Sequence, residues 1–120
     1  MAKILIIEDD SEIRNLIQRL LEKAGHDTMT AADGVEGMEA FRSGSPDAVI
    51  TDLLMPRMKG IDAIKEIKNI NATTKILAIS GGGPCAPATH LKAARGAGAT
   101  ATLAKPFNPD ELLNAISRLV

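Results

Sequence analysis

The chain has 120 residues, 45% of them hydrophobic, and its 14 basic and 15 acidic residues leave a formal net charge of -1, which by length is one domain with room for one sizeable core. So even a balance gives no field to draw the chain to nucleic acid or anionic lipid, and Phe41 and Phe107 are too few aromatics for a base-stacking platform. A lone cysteine, Cys85, excludes an internal disulfide and a cysteine metal cluster, and Met1-Ala2-Lys3 leads into an apolar run too short for a signal peptide or membrane span, so a soluble cytoplasmic protein is expected.

Apolar runs and periodic stretches alternate to the end of the chain. Ile4 to Ile7 reads as a buried parallel strand and ends in Glu8 and Asp9. Ile13, Leu16, Ile17, Leu20 and Leu21 then recur at helical spacing, with Asp10 or Ser11 as cap and Gly25 beyond the end. Asp27 to Ala31 is a weaker second strand. Asp33 is placed to N-cap a second helix with Glu36 at N3, and Val35, Met38 and Phe41 are expected to face inward.

Ser43 to Pro46 ends that helix, and Ala48 to Thr51 forms the third strand, closed by Asp52. Gly60 precedes a third helix with Ile61, Ile64 and Ile67 on its apolar edge. Lys75 to Ser80 is the fourth strand, followed by the Gly- and Pro-rich stretch Gly81 to Pro87 and a helix from about Ala88 to about Arg95. Thr100 to Ala104 is the fifth strand, ending before Lys105 and Pro106. Asn108 caps a last helix with Pro109 at N1, Glu111 at N3, and Leu112, Leu113, Ile116 and Leu119 on its buried side. No linker or repeat divides the chain, so residues 1–120 read as one domain.

Five strand-helix units imply an α/β fold, a parallel sheet covered on both faces by right-handed crossovers. The common five-stranded doubly wound order, 2-1-3-4-5, makes strands 1, 3, 4 and 5 consecutive neighbours, and ligands bind such sheets at the carboxyl edge where the order reverses. That edge carries Glu8, Asp9, Asp52, Ser80 and Lys105.

Two carboxylates about 4 Å apart repel by about 4 kcal/mol at an effective dielectric of 20, so three in one pocket require a proton or a cation. Mg2+ suits such a site, being a hard ion usually held by one or two carboxylates plus phosphate oxygens. Taken alone, Glu8 and Asp9 serve equally well as helix-capping acids; Asp52 on the adjacent strand points to a site. Asp52, central in the edge, is the candidate nucleophile toward phosphorus, with Lys105 and Ser80 to neutralise the phosphoryl oxygens. Ser80 alone reads equally as turn chemistry before Gly81.

Lys3 to Asp10, Ala48 to Gly60, Ile79-Ser80 and Lys105 to Phe107 together resemble the receiver domain of two-component response regulators, in order and over the whole chain. The resemblance implies a stand-alone, flavodoxin-like receiver of the chemotaxis-regulator type. It implies that Asp52 accepts a phosphoryl group from a sensor histidine kinase or histidine phosphotransfer protein. Glu8, Asp9, Asp52 and the backbone carbonyl of Leu54 would bind Mg2+. Ser80 would be the switch hydroxyl, Lys105 the phosphoryl-contacting lysine, and the Lys105-Pro106 bond cis. Such a chain is no enzyme beyond its own phosphorylation and dephosphorylation, and signals by contact with a downstream protein.

Three departures matter. Thr102 stands where the family usually has Tyr or Phe, which affects the switch. Gly81 to Pro87 is longer than the common connection. Leu54 and Gly82 offer no polar side chain to orient an attacking water, so slow self-dephosphorylation is predicted; a phosphoryl lifetime of seconds or less would refute it. Two rival readings share the fold: a phosphorylation-independent interaction module and a flavodoxin-like cofactor binder. For the second, Gly81 to Gly83 lacks the ending of a P-loop and the spacing of a dinucleotide fingerprint. The helix 1 face around Arg14, Gln18 and Leu21 is the expected kinase-docking surface, by analogy with the family. His26 and His90 are given no role.

Overall fold

The computed structural model describes residues 2–53, 58–80 and 87–120, without the side chains of residues 87–91. Strands β1 (Lys3–Ile7), β2 (Asp27–Ala31), β3 (Ala48–Asp52), β4 (Lys75–Ser80) and β5 (Ala101–Ala104) alternate with helices α1 (Ser11–Lys23), α2 (Gly34–Gly44), α3 (Gly60–Ile70), α4 (Pro87–Ala97) and α5 (Pro109–Leu119). All pairings are parallel and the order is β2-β1-β3-β4-β5, the flavodoxin-like arrangement expected.

Alternation along the strands feeds two cores. Ile4, Ile6, Ala48, Ile50, Leu77 and Ile79 face α1 and α5, where Ile17, Leu21, Leu112, Ile116 and Leu119 meet them. Leu5, Ile7, Val49, Ile76 and Ala78 face α2, α3 and α4. Because both faces are covered, the central strands are apolar at nearly every position.

Two apolar residues expected to face inward do not: Leu16 is 44% and Val35 37% exposed. In α2 the buried face is Gly34, Gly37, Met38 and Phe41. The helix backbone lies so close to the sheet that a Cβ on Gly37 would sit 2.5 Å from Ile7 Cδ1. Glycines thus occupy the inward positions, and hydrophobic periodicity does not register them. β3 also runs one residue further than expected, to Asp52, and α4 is longer at both ends.

The caps follow the sequence. Asp10 Oδ1 accepts from the Glu12 and Ile13 N–H groups at 2.9 and 3.3 Å, and Asp33 from Glu36 N–H at 2.8 Å. At α5 the box is reciprocal: Glu111 N–H donates to Asn108 Oδ1 at 2.8 Å and Asn108 N–H to Glu111 Oε1 at 3.2 Å. Asn108→Ala removes the acceptor of the Glu111 N–H and is expected to cost about 1 kcal/mol in urea denaturation.

Candidate functional site

Each site residue stands at or just beyond the carboxyl end of a strand. Glu8 follows β1; its N–H donates to Ala31 O at 3.0 Å and its side chain is held at 2% exposure. Asp9 is exposed in the short turn into α1. Asp52 closes β3 opposite Ile79 and is 6% exposed. Carboxylate oxygens of Glu8, Asp9 and Asp52 all lie within 4.8 Å of one another. Hard oxygen donors at this spacing fit a small divalent cation.

Lys105 comes from the far side. Its backbone N–H donates to Ser80 O at 2.7 Å, which continues the β4–β5 ladder one step past β5. Its long stem then crosses the end of β4, and Nζ lies 2.6 Å from Glu8 Oε1 and 3.1 Å from Asp52 Oδ2. Ser80 closes β4, fully buried, and its Oγ has no hydrogen-bond partner among the described residues. A buried unpaired hydroxyl costs free energy until something accepts or donates to it, so this edge suits an incoming oxygen.

The electrostatics follow from burial and crowding. Burial, together with the charge of Asp52, pushes the Glu8 carboxyl up to about 7, against the pull of the Lys105 hydrogen bond. For Lys105, burial opposes the charged form, yet its bonds and charge pairing with Glu8 and Asp52 outweigh it and raise its pKa. The folded, metal-free protein therefore holds a proton on Glu8 between pH 4.5 and about 7 that the unfolded chain has released. Stability falls as pH rises through that window. The check is urea unfolding in chelator, where Glu8→Gln should flatten this pH slope.

The structure brings together Glu8, Asp9, Asp52, Ser80 and Lys105, and the Lys105–Pro106 bond is cis. Leu54, with its carbonyl, Gly81 to Ala86, which includes Gly82 and Cys85, and the side chain of His90 lie outside the described residues. Thr102 pairs in register with Ala78, and Ser80 with Ala104. Aligned residues of parallel strands share a face, so Thr102 and Ser80 stand on the same side of the sheet, one side-chain step apart.

The α1 docking surface needs correction. Leu21 is fully buried, Gln18 donates to Thr28 Oγ1 at 3.1 Å, and Arg14 donates to the Glu8 carbonyl at 2.8 Å. The exposed apolar residue of that helix is Leu16. His26 has a structural part: its Nδ1 accepts from Ala2 N–H at 3.1 Å and tethers the start of β1.

For two residues it named, sequence reasoning missed the role. Gly60 lets α3 start against β3, since a Cβ there would lie 2.1 Å from the Asp52 carbonyl oxygen. Arg14 reaches back from the first turns of α1 to the acid turn. Its signal was available: a cation near a helix N-terminus opposes the macrodipole and needs another partner.

Comparison with known proteins agrees with this fold. The response regulator receiver domain family matches residues 4–117. The chain is 35% identical over 118 residues to the chemotaxis protein CheY of Thermotoga maritima, covering 98% of this chain and 96% of that one. It is 37% identical over 117 residues to the chemotaxis protein CheY of Bacillus subtilis, covering 97% and 95%. A solved response regulator receiver domain from Clostridium thermocellum superposes with a TM-score of 0.86 at 35% identity, covering 98% of this chain and 96% of that chain.

Proposed function

The chain belongs to the response regulator receiver family of two-component phosphorelay signalling, and on that premise we propose that Asp52 accepts a phosphoryl group from a sensor histidine kinase or histidine phosphotransfer protein. The observation that carries this is the convergence of three carboxylates with Lys105 at the strand ends, where Ser80 is buried and its hydroxyl has no hydrogen-bond partner among the described residues. One Asp52 oxygen attacks phosphorus in line with the breaking phosphorus–nitrogen bond, and the leaving imidazole takes up a proton. Lys105, already seated between Glu8 and Asp52, shifts its pairing toward a phosphoryl oxygen. Ser80 Oγ donates to another, which supplies the partner it lacks among the described residues.

Glu8, Asp9 and Asp52, with the Leu54 carbonyl implied by family resemblance, would hold Mg2+. When bound, the ion neutralises charge on the phosphoryl oxygens and on the acid cluster itself. Phosphorylation adds charge and acceptor oxygens at the ends of β3 and β4. The conformer in which Ser80 and Lys105 contact them best is then favoured, which biases Thr102 and the α4-β5-α5 face toward a downstream protein. We read residues 1–120 as one such unit, acting in the cytoplasm and catalysing nothing beyond its own phosphoryl chemistry. No helix among the described residues is long and apolar enough to cross a membrane.

The test is incubation with Mg2+ and a small-molecule phosphodonor. The expected result is a mass gain of one phosphoryl group that needs Mg2+ and that hydroxylamine removes, as it does an acyl phosphate. No gain would point instead to an interaction module that works without phosphorylation.

A further inference from the structure

The Glu8–Asp9 turn is held by a residue outside the acid cluster. The Glu8 backbone is tied on one side by its N–H, which donates to Ala31 O in β2 at 3.0 Å. On the other side its carbonyl accepts from Arg14 Nη1 at 2.8 Å in a partly buried contact. Arg14 is itself fixed by the helix, for its backbone N–H donates to Asp10 O at 2.9 Å, and Asp10 caps that helix. The Asp10 N–H completes the ring by donating to Glu8 Oε2 at 3.3 Å. Asp9 sits in the middle of this closed ring and is exposed.

From this geometry we infer that Arg14 is a positioning residue for the metal site: its guanidinium locks the plane of the Glu8–Asp9 peptide, and so the direction in which Asp9 leaves the backbone. The inference rests on the Mg2+ reading above. Rotation of that peptide changes ψ of Glu8 and φ of Asp9 together. Mg2+ demands near-ideal octahedral geometry, so an acid pair free to turn binds it less well. Groups one layer behind metal ligands commonly change affinity tenfold or more by orienting them. A guanidinium suits the task because its planar, delocalised head presents the donating N–H in a fixed direction.

Charge and geometry predict opposite signs here. Arg14 is a cation near a cation site, so by charge alone its removal tightens Mg2+ binding. By positioning, its removal weakens binding. Mg2+ alone is titrated calorimetrically into the full chain, beside urea unfolding in chelator. Arg14→Ala is expected to raise the Mg2+ dissociation constant about tenfold and Arg14→Lys, with a compact point donor, about threefold. A merely structural role would move the urea midpoint and leave Mg2+ affinity of the folded protein unchanged. Binding by Arg14→Ala that equals or exceeds the wild type overturns the inference. Should that variant not fold, unchanged affinity in Arg14→Lys overturns it as well. Absence of saturable Mg2+ binding in the wild type refutes the metal reading itself and takes the inference with it; wild-type binding with unaffected variants sinks the role of Arg14 alone.

Discussion

Asp52→Asn is expected to take up no phosphoryl group and at the same time to fold more stably than the wild type. Asparagine keeps the shape of the side chain but offers a neutral amide in place of a nucleophilic carboxylate, so no acyl phosphate forms. The stability gain comes from the crowd around it. Glu8, Asp9 and Asp52 share one small region with Lys105 as the cation bridging Glu8 and Asp52. Removing one carboxylate leaves Glu8 paired with Lys105 and relieves like-charge repulsion of about 1 kcal/mol or more at neutral pH without metal. It should also lower the Glu8 pKa, because the Asp52 charge is one of the causes that raise it. Mass measurement after phosphodonor treatment reads the first effect and urea unfolding in chelator the second. A site more stable without its reactive group is the usual mark of strain kept for activity. Phosphate uptake by Asp52→Asn would move the acceptor elsewhere, and an unchanged or lower midpoint would mean the acids are not in conflict.

The second large effect belongs to Gly60→Ala. A Cβ at Gly60 would lie 2.1 Å from the Asp52 carbonyl oxygen and 2.6 Å from Leu53 Cα. Both are backbone atoms and cannot swing away as a side chain can. The Gly60 N–H donates to Leu53 O at 3.1 Å, so the start of α3 is bonded to the strand end it presses against. The added methyl must push α3 off β3 or displace the end of β3 that carries Asp52. A cost of about 3 kcal/mol is expected, the upper part of the overpacking range. Phosphorylation should slow by about a hundredfold, because a misplacement near 1 Å disrupts in-line attack. Gly96→Ala is the internal control: among the described residues, no atom outside its chain neighbours and its own helix backbone lies within 4 Å of the position its Cβ would take, and alanine is the better helix former by up to about 1 kcal/mol. Equal stability of Gly60→Ala and the wild type would show that α3 has room to spare.

Much of this site was readable from chain order alone. Strands buried on both faces announce themselves as unbroken apolar runs, which is why β1, β3 and β4 stand out while the half-exposed β2 was weaker. Caps are local too, since Asp10, Asp33 and Asn108 bond to groups within three residues of themselves. Topology then followed from the alternation of elements, and with it the set of residues at the carboxyl edge.

Close approach was not readable. Nothing local distinguishes Gly37 or Gly60 from a loop glycine, yet each marks a place where backbone meets a neighbouring element. Val35 and Leu16 were misplaced because a helix pattern states which residues are apolar, not how wide a stripe the sheet will cover. Local patterns extend over a few residues, and so they specify element type, order and ends. The reach of Lys105 across β4 to acids 53 and 97 residues away, the burial of the Ser80 hydroxyl, the raised pKa of Glu8 and the hold of Arg14 on the acid turn all depend on strand register and packing distances. Those come into being only when the sheet is assembled, because distance and desolvation act through space rather than along the chain.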